Sequence, residues 1–173
     1  MNLEKNKKVL FLTDIENGLE PILQEVTNIP VKNMLTIQSY GTLISHPYGD
    51  IMRSVIMAIY QENVEEVYVV GTKDKRIDTV NVLPQLESMK SKIETLDYFF
   101  QNCTPEFSGG TVDEWLTGKS GSIEKSVDII RNHPLVPAHV KVRGLLVHNK
   151  DRTSSVFEVE ESDLLPNKDL QMK

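Results

Sequence analysis

A short cationic turn follows one of the apolar strand candidates in the chain. Val67 to Val70 is a β-branched and aromatic run of the kind that forms a buried strand, and Gly71 then begins a turn. Lys73, Lys75 and Arg76 come directly afterwards. Three closely spaced cations at a strand end predict a site for a small anion such as bicarbonate or phosphate, while the same three residues also suit an ordinary solvated loop.

The elements that must position this turn alternate along the chain. Strand candidates are Val9–Leu12, Met34–Ile37, Val67–Val70, Val140–Val147 and Ser155–Val159, and helix candidates are Asp50–Gln61, Leu86–Asn102 and Ile123–Asn132, the last with Ser122 as N-cap. A short element around Trp115 interrupts a glycine-rich loop, and the last two strands predict a hairpin around Lys150. This order predicts an α/β fold with a mostly parallel central sheet, helices on both faces and a C-terminal antiparallel strand.

Candidate metal ligands are scattered along the chain. They are Asp14, His46, Asp74, Cys103, His133, His139 and His148, and none forms a Cys-x-x-Cys or His-x-x-x-His pair. His133 precedes Pro134 at a helix end, which predicts contact with the last carbonyls of that helix. Cys103 follows an aromatic stretch and is expected to be a small buried apolar residue. His46 remains open as either a loop residue or a site residue.

An ordered series of segments resembles the β-class carbonic anhydrases. Residues 67–76 are similar to the family strand that ends in Gly-His-Thr-Asp-Cys-Gly, and residues 9–14 to its first strand, which leads into Cys-x-Asp-x-Arg. Gly41 matches the glycine of Arg-Asn-Ala-Gly, and Arg53-Ser54-Val55 resembles the Arg-Ser-Leu start of a helix. Residues 129–137 and 140–145 resemble the late helix and the last strand. On these matches, which cover most of the chain, it is identified as a member of the family, with the β-carbonic-anhydrase-like fold.

The resemblance implies that all three zinc ligands of the family are replaced. The ligand positions fall on Leu12, Thr72 and Lys75. Leucine has no donor atom, threonine is a poor neutral ligand, and a protonated lysine repels a dication. We therefore expect no zinc cofactor, no catalytic residue and no hydration of carbon dioxide. The expected role is that of a noncatalytic homologue, either a partner or regulatory subunit or a binder of a small anion such as bicarbonate.

A remnant of the family's pocket is expected around Asp14. Asp14 matches the family's aspartate, Glu16 stands in place of its arginine, and Asp74 adds a third carboxylate. Lys75 then either supplies the positive charge in place of the metal, through an ion pair with Asp14 or Asp74, or is a surface lysine. The rival hypothesis is an enzyme, namely a carbonic anhydrase with unrecognised ligands or a metal-free enzyme built around Asp14, Asp74 and Lys75. The resemblance further implies a homodimer.

Composition sets the remaining limits. The 173 residues, 25% charged and 39% hydrophobic, suit a single globular domain over residues 1–173, and we expect about 160–173 to form a polar, mobile tail. No apolar run approaches the roughly 18 residues of a membrane span, and no signal-type segment is evident at the N-terminus. The lone Cys103 suits a reducing compartment, so we expect a cytoplasmic location. The net charge of −6 argues against nucleic-acid binding.

Overall fold

A five-stranded sheet forms the centre of the molecule. The computed structural model describes residues 7–15, 18–40, 44, 46–72, 84–102, 111–117, 122–150 and 153–159. The strands are β1 (Lys8–Asp14), β2 (Met34–Ser39), β3 (Val64–Thr72), β4 (Lys141–Lys150) and β5 (Thr153–Val159), in the spatial order β2-β1-β3-β4-β5. The first four strands pair in parallel and β5 pairs antiparallel to β4. The predicted mostly parallel sheet with a final antiparallel strand is confirmed.

Five α-helices accompany the sheet within the described residues. They are α1 (Glu20–Thr27), α2 (Asp50–Glu62), α3 (Lys90–Asn102), α4 (Val112–Thr117) and α5 (Ile123–Arg131), with 3-10 turns at Val31–Asn33 and Pro84–Met89. Helix α1 is absent from the sequence-based assignment, which is an omission. The predicted start of α3 at Leu86 is also wrong, since residues 84–89 form a 3-10 turn. In the described part of the chain, none of the helices combines the length and the apolarity that crossing a bilayer would require.

Alternating side chains of the strands build two separate apolar layers. On one face of the sheet, Leu10 and Leu12 pack with residues of α2 and α5 such as Met52 and Ile130. On the opposite face, Val9 and Phe11 pack with Leu19 and Leu23 at and within α1. Successive residues of a strand point to opposite faces, so β1 must be apolar at every position to serve both layers. The prediction of helices on both faces is confirmed.

Local signals in the sequence explain where several helices begin and end. Ser122 caps α5, because its Oγ accepts a hydrogen bond from the main-chain N–H of Lys125 at 3.1 Å. Helices α1 and α2 both end at an asparagine in the left-handed conformation, Asn28 at φ 54° and Asn63 at φ 58°. The predicted cap at Ser122 is confirmed.

Candidate functional site

The carboxyl ends of β1 and β3 define the candidate site. The chain leaves β1 toward β2 on one side, whereas β3 lies on the other side of β1. In open α/β sheets, the crevice outside the carboxyl ends of two such strands is where ligands bind. The residues at this point are Thr13 and Asp14 from β1 and Gly71 and Thr72 from β3. The sequence therefore places its candidate residues at the expected edge of the sheet.

Leu12 belongs to the apolar core. It is 2% exposed and belongs to the same buried cluster as Val69, with Ile37 packed against that cluster. The main chain of Leu12 pairs with that of Val69 in β3. Thr72 comes three residues after Val69, so it lies roughly 10 Å further along the strand direction than Leu12. A zinc ion needs nitrogen, sulfur or oxygen donors at about 2.0–2.3 Å. The side chain of Leu12, which the resemblance aligns with a family ligand position, is aliphatic and has no donor atom to hold the metal.

Two polar residues at the end of β1 are enclosed by the fold. Thr13 is 1% exposed and Asp14 is 4% exposed. The Thr13 Oγ1 atom is buried and makes no hydrogen bond within the described residues. An unsatisfied buried hydroxyl typically costs about 1–3 kcal/mol, so it marks a position where a ligand or water that forms a hydrogen bond with this hydroxyl would be stabilising. The main chain of Asp14 is held against Ser39 of β2.

The glycine at the end of β3 has a packing reason. A Cβ atom added at Gly71 would lie 2.2 Å from Ile123 Cδ1 and 3.1 Å from Ile123 Cγ1. Ile123 is the first residue of α5, so the absence of a side chain lets the N-terminus of that helix approach the strand. Ser126 one turn later joins the same region, because its Oγ accepts a hydrogen bond from the main-chain N–H of Ile44 at 2.9 Å. Helix α5 thereby anchors the segment that follows β2.

Two histidines lie in turns and make local contacts. His46 Nδ1 accepts a hydrogen bond from the main-chain N–H of Tyr48 at 3.2 Å, within the turn before α2. His133 is 7% exposed, and its Nδ1 accepts from the main-chain N–H of Leu135 at 3.1 Å. The main-chain N–H of His133, not its ring Nδ1, bonds to the Ile130 carbonyl at the end of α5. The expected contact with a terminal carbonyl is therefore made by the main chain.

The structure describes only some of the remaining candidate site residues. Glu16, Lys73, Asp74, Lys75, Arg76 and Cys103 lie outside the described residues. Thr72 and His148 are described by their main chain, at the end of β3 and within β4, and His139 is exposed in the turn before β4. Across the ranges that are described, no three His, Cys, Asp or Glu side chains group closely enough to hold a metal ion.

Sequence reasoning did not single out Thr13, which the fold buries, or Ser126, which binds the main chain of Ile44. Thr13 carries a local signal, since it is the polar residue that directly precedes Asp14 at the end of an apolar strand. Alternation along the strand places it with Phe11, on the face opposite Leu12. Its unsatisfied hydroxyl depends on the surrounding fold, so no sequence pattern reveals it.

Comparisons with known proteins identify the relatives of this chain. A protein of Bacillus subtilis (strain 168) named "Putative carbonic anhydrase-like protein YbcF" is 71% identical over 92% of this chain and 91% of its own length. The chain belongs to the β-carbonic anhydrase family. A second protein of that organism, named "Putative carbonic anhydrase YtiB", is 32% identical over 84% of this chain and 78% of its own length. No family model matches the chain.

Solved structures agree on the fold of this family member. The β-carbonic anhydrase isoform I of Trichomonas vaginalis superposes with a TM-score of 0.63 at 19% identity, covering 90% of this chain and 86% of its own. The carbonic anhydrase of Streptococcus mutans gives 0.55 at 16% identity, covering 90% and 84%. A carbon disulfide hydrolase in its apo form gives 0.56 at 18% identity, covering 83% and 74%. These similarities show the β-carbonic anhydrase fold, and a fold alone does not determine a substrate.

Proposed function

We propose that this β-carbonic anhydrase homologue binds no catalytic zinc and does not hydrate carbon dioxide. The observation that carries the proposal is the burial of Leu12, which the resemblance aligns with a family ligand and which is a 2% exposed residue of the apolar core. A catalytic zinc needs three protein ligands and an open position for water. With Thr72 and Lys75 at the other two positions, no partial ligand set remains.

The role we propose for the crevice is to bind a small anion of the bicarbonate type. Thr13 supports this, because its buried Oγ1 lacks a hydrogen-bond partner among the described residues and lies at the end of β1. Lys73, Lys75 and Arg76 follow the neighbouring strand β3 and would supply positive charge. Such a protein would act in the cytoplasm as a sensor or a regulatory partner instead of as a catalyst.

Zinc content and hydration activity test the loss of catalysis. The parent should contain well under one zinc per chain by plasma emission analysis and should not accelerate carbon dioxide hydration in stopped flow. The triple variant Leu12→Cys, Thr72→His, Lys75→Cys should take up zinc, and the double variant that keeps Leu12 is its matched control. Adding Glu16→Arg to the triple variant restores the family's partner for Asp14 and should raise its hydration rate. Stoichiometric zinc in the dialysed parent, or hydration at enzyme-like rates, contradicts the proposal.

Anion binding is tested separately at Thr13. Bicarbonate, and sulfate as a second probe, are titrated into the parent while amide chemical shifts are followed. Thr13→Val keeps the shape of the side chain and removes its hydroxyl, so it should weaken binding about tenfold, as expected for one lost hydrogen bond to a charged group. Thr36→Val, an exposed substitution on β2, is the control and should leave the affinity unchanged. Equal affinities of the parent and Thr13→Val would show that the crevice does not use this hydroxyl.

A further inference from the structure

Two turns of the chain, residues 46–49 and 133–136, each begin with a histidine that precedes a proline. In both turns the imidazole Nδ1 accepts a hydrogen bond from the main-chain N–H two residues on, at 3.2 Å for His46 and 3.1 Å for His133. Proline has no N–H, so the residue after it supplies the first main-chain donor that follows the histidine. We call these segments the first and the second His-Pro turn.

The hydrogen bonds fix the protonation state in which each ring can hold its turn. In a neutral imidazole one nitrogen donates and the other accepts, so an accepting Nδ1 places the proton on Nε2. Asparagine makes the same contact with the N–H two residues on, and its acceptor does not titrate. A histidine loses its acceptor when it is protonated, because both ring nitrogens then donate. The two turns therefore depend on pH in a way that asparagine turns would not.

The second His-Pro turn contacts residues beside both ends of α2. Tyr48, in the first His-Pro turn, precedes α2, and its ring meets the His133 ring edge to face with centroids 6.0 Å apart. Near the other end of α2, Tyr60 Oη donates a hydrogen bond to the Leu135 carbonyl at 2.7 Å. The second turn also joins α5 to β4. The two turns together thus hold α2 against the connection between α5 and β4.

Burial makes a proton on His133 costly. The residue is 7% exposed, and a proton on Nδ1 would face the Leu135 N–H, which also donates. In the last turns of α5, Arg131 donates to the Val142 carbonyl at 2.8 Å, and Asp128 accepts from the Asn132 side chain at 2.6 Å. The other charged or titratable groups on the surrounding elements, besides the two tyrosines, are His46, Asp50, Arg53, Glu62, His139 and Lys141. Proton binding at this ring replaces a hydrogen bond with two opposed donors.

We propose that His46 and His133 form a pH-sensitive clasp that holds α2 against the connection between α5 and β4. With both imidazoles neutral, each turn keeps its hydrogen bond and the contacts of Tyr48 and Tyr60 are held. Protonation opens the turns and releases these contacts. Histidine changes its charge between about pH 5 and 8, so the clasp is closed at the upper end of this range and open at the lower end. The proposal is independent of the loss of zinc and of anion binding at Thr13.

Nuclear magnetic resonance of the parent tests the state of the two rings directly. Long-range proton–nitrogen spectra at about pH 8 should show both neutral rings with the proton on Nε2. As the pH falls to about 5, the amide protons of Tyr48 and Leu135 should move upfield in step with protonation of His46 and His133, because each amide loses its acceptor. A proton on Nδ1 at the higher pH, or rings that stay neutral at the lower pH, overturns the proposal.

Urea unfolding at two pH values tests the contribution of the clasp to stability. His133→Asn keeps an acceptor for the Leu135 N–H and removes the titration. The unfolding constant of the parent relative to this variant should rise about tenfold from about pH 7.5 to 5.5, as expected for one lost hydrogen bond. His139→Asn is the matched control, since His139 is exposed, and its ratio should not change with pH. Equal behaviour of the two variants contradicts the proposal.

Hydrogen exchange tests whether α2 is the element released. After correction for the intrinsic effect of pH, the amides of α2 should exchange about tenfold faster relative to those of β1 at about pH 5.5 than at 7.5, following the loss of one hydrogen bond. The double variant His46→Asn, His133→Asn should keep the same relative protection at both pH values. Protection of α2 in the parent that does not change with pH shows that the two histidines do not control this helix.

Discussion

Strand β1 and helix α3 are both rich in apolar residues, yet the fold treats them in opposite ways. Every residue of β1 from Val9 to Asp14 is buried. No residue of α3 is buried, although it contains Ile93, Leu96 and two consecutive phenylalanines. The difference lies in the neighbouring elements, since β1 has a strand on each side and helices on both faces, whereas α3 packs chiefly against the preceding 3-10 turn and α4. Apolar content alone does not decide burial.

The largest effect should come from the centre of the sheet. Phe11 is 0% exposed and stacks on Tyr68 with ring centroids 5.3 Å apart. Phe11→Ala should lower the free energy of unfolding by about 3–5 kcal/mol, because it removes buried area and leaves a cavity. Urea denaturation measures this, with Phe11→Leu as a control that should lose less. A loss below about 1 kcal/mol would mean that the core adapts around the missing ring.

A smaller effect is expected where α5 touches the sheet. Gly71→Ala introduces a Cβ into the space of Ile123 and should cost about 1–3 kcal/mol of stability, the usual range for overpacking. Ile123→Val removes the Cδ1 atom that the new Cβ meets, so the double variant should be more stable than the sum of the two single effects predicts. Strict additivity in thermal or urea unfolding would show that the two residues do not compete for space.

Alkaline pH should also destabilise the sheet layer around Tyr68. Burial, and then the hydrogen bond that Tyr68 Oη donates to Glu66 at 3.0 Å, raise the pKa of Tyr68 above its usual value near 10. The folded state therefore favours the neutral phenol, and this contribution is present below about pH 10 and is lost as the pH rises through the raised pKa. Tyr68→Phe should cost about 1 kcal/mol at neutral pH. Its stability should then fall less steeply than that of the parent above about pH 10, and parallel curves would contradict the argument.

The smallest effect should come from an aromatic residue of α3. Tyr98→Ala is similar in chemistry to Phe11→Ala, but Tyr98 is 62% exposed. Its cost should lie within about 0.5 kcal/mol, since exposed substitutions rarely do more and alanine is a strong helix former. Both variants are compared under identical urea conditions. A loss similar to that of Phe11→Ala would mean that α3 is part of the same cooperative core.

The sheet could be predicted from sequence because its strands are short apolar runs at regular intervals. The family resemblance pointed to the carboxyl ends of β1 and β3, but the turn predicted at Gly71 is wrong, since β1 continues to Asp14 and β3 to Thr72, two residues beyond each predicted strand. Helix α1 escaped prediction because it has eight residues and Pro21 in its first turn, so its apolar spacing is brief. The burial of Thr13 and the close approach of Ile123 to Gly71 arise from tertiary packing. These contacts join residues far apart in the chain, and spacing within a segment carries no information about them.

The order of the strands also has a consequence for the time course of folding. Leu10 pairs with Leu35, only about 25 residues away, whereas Glu66 of β3 pairs with Lys141, about 75 residues away. Tripling the length of a closing loop adds roughly 1 kcal/mol of entropic cost. The β1–β2 contact should therefore form early, during synthesis of the chain, and the β4–β5 hairpin should join last. Until it does, one side of β3 is an open strand edge, so the nascent chain is most exposed to wrong pairing while α3 and α4 are being made.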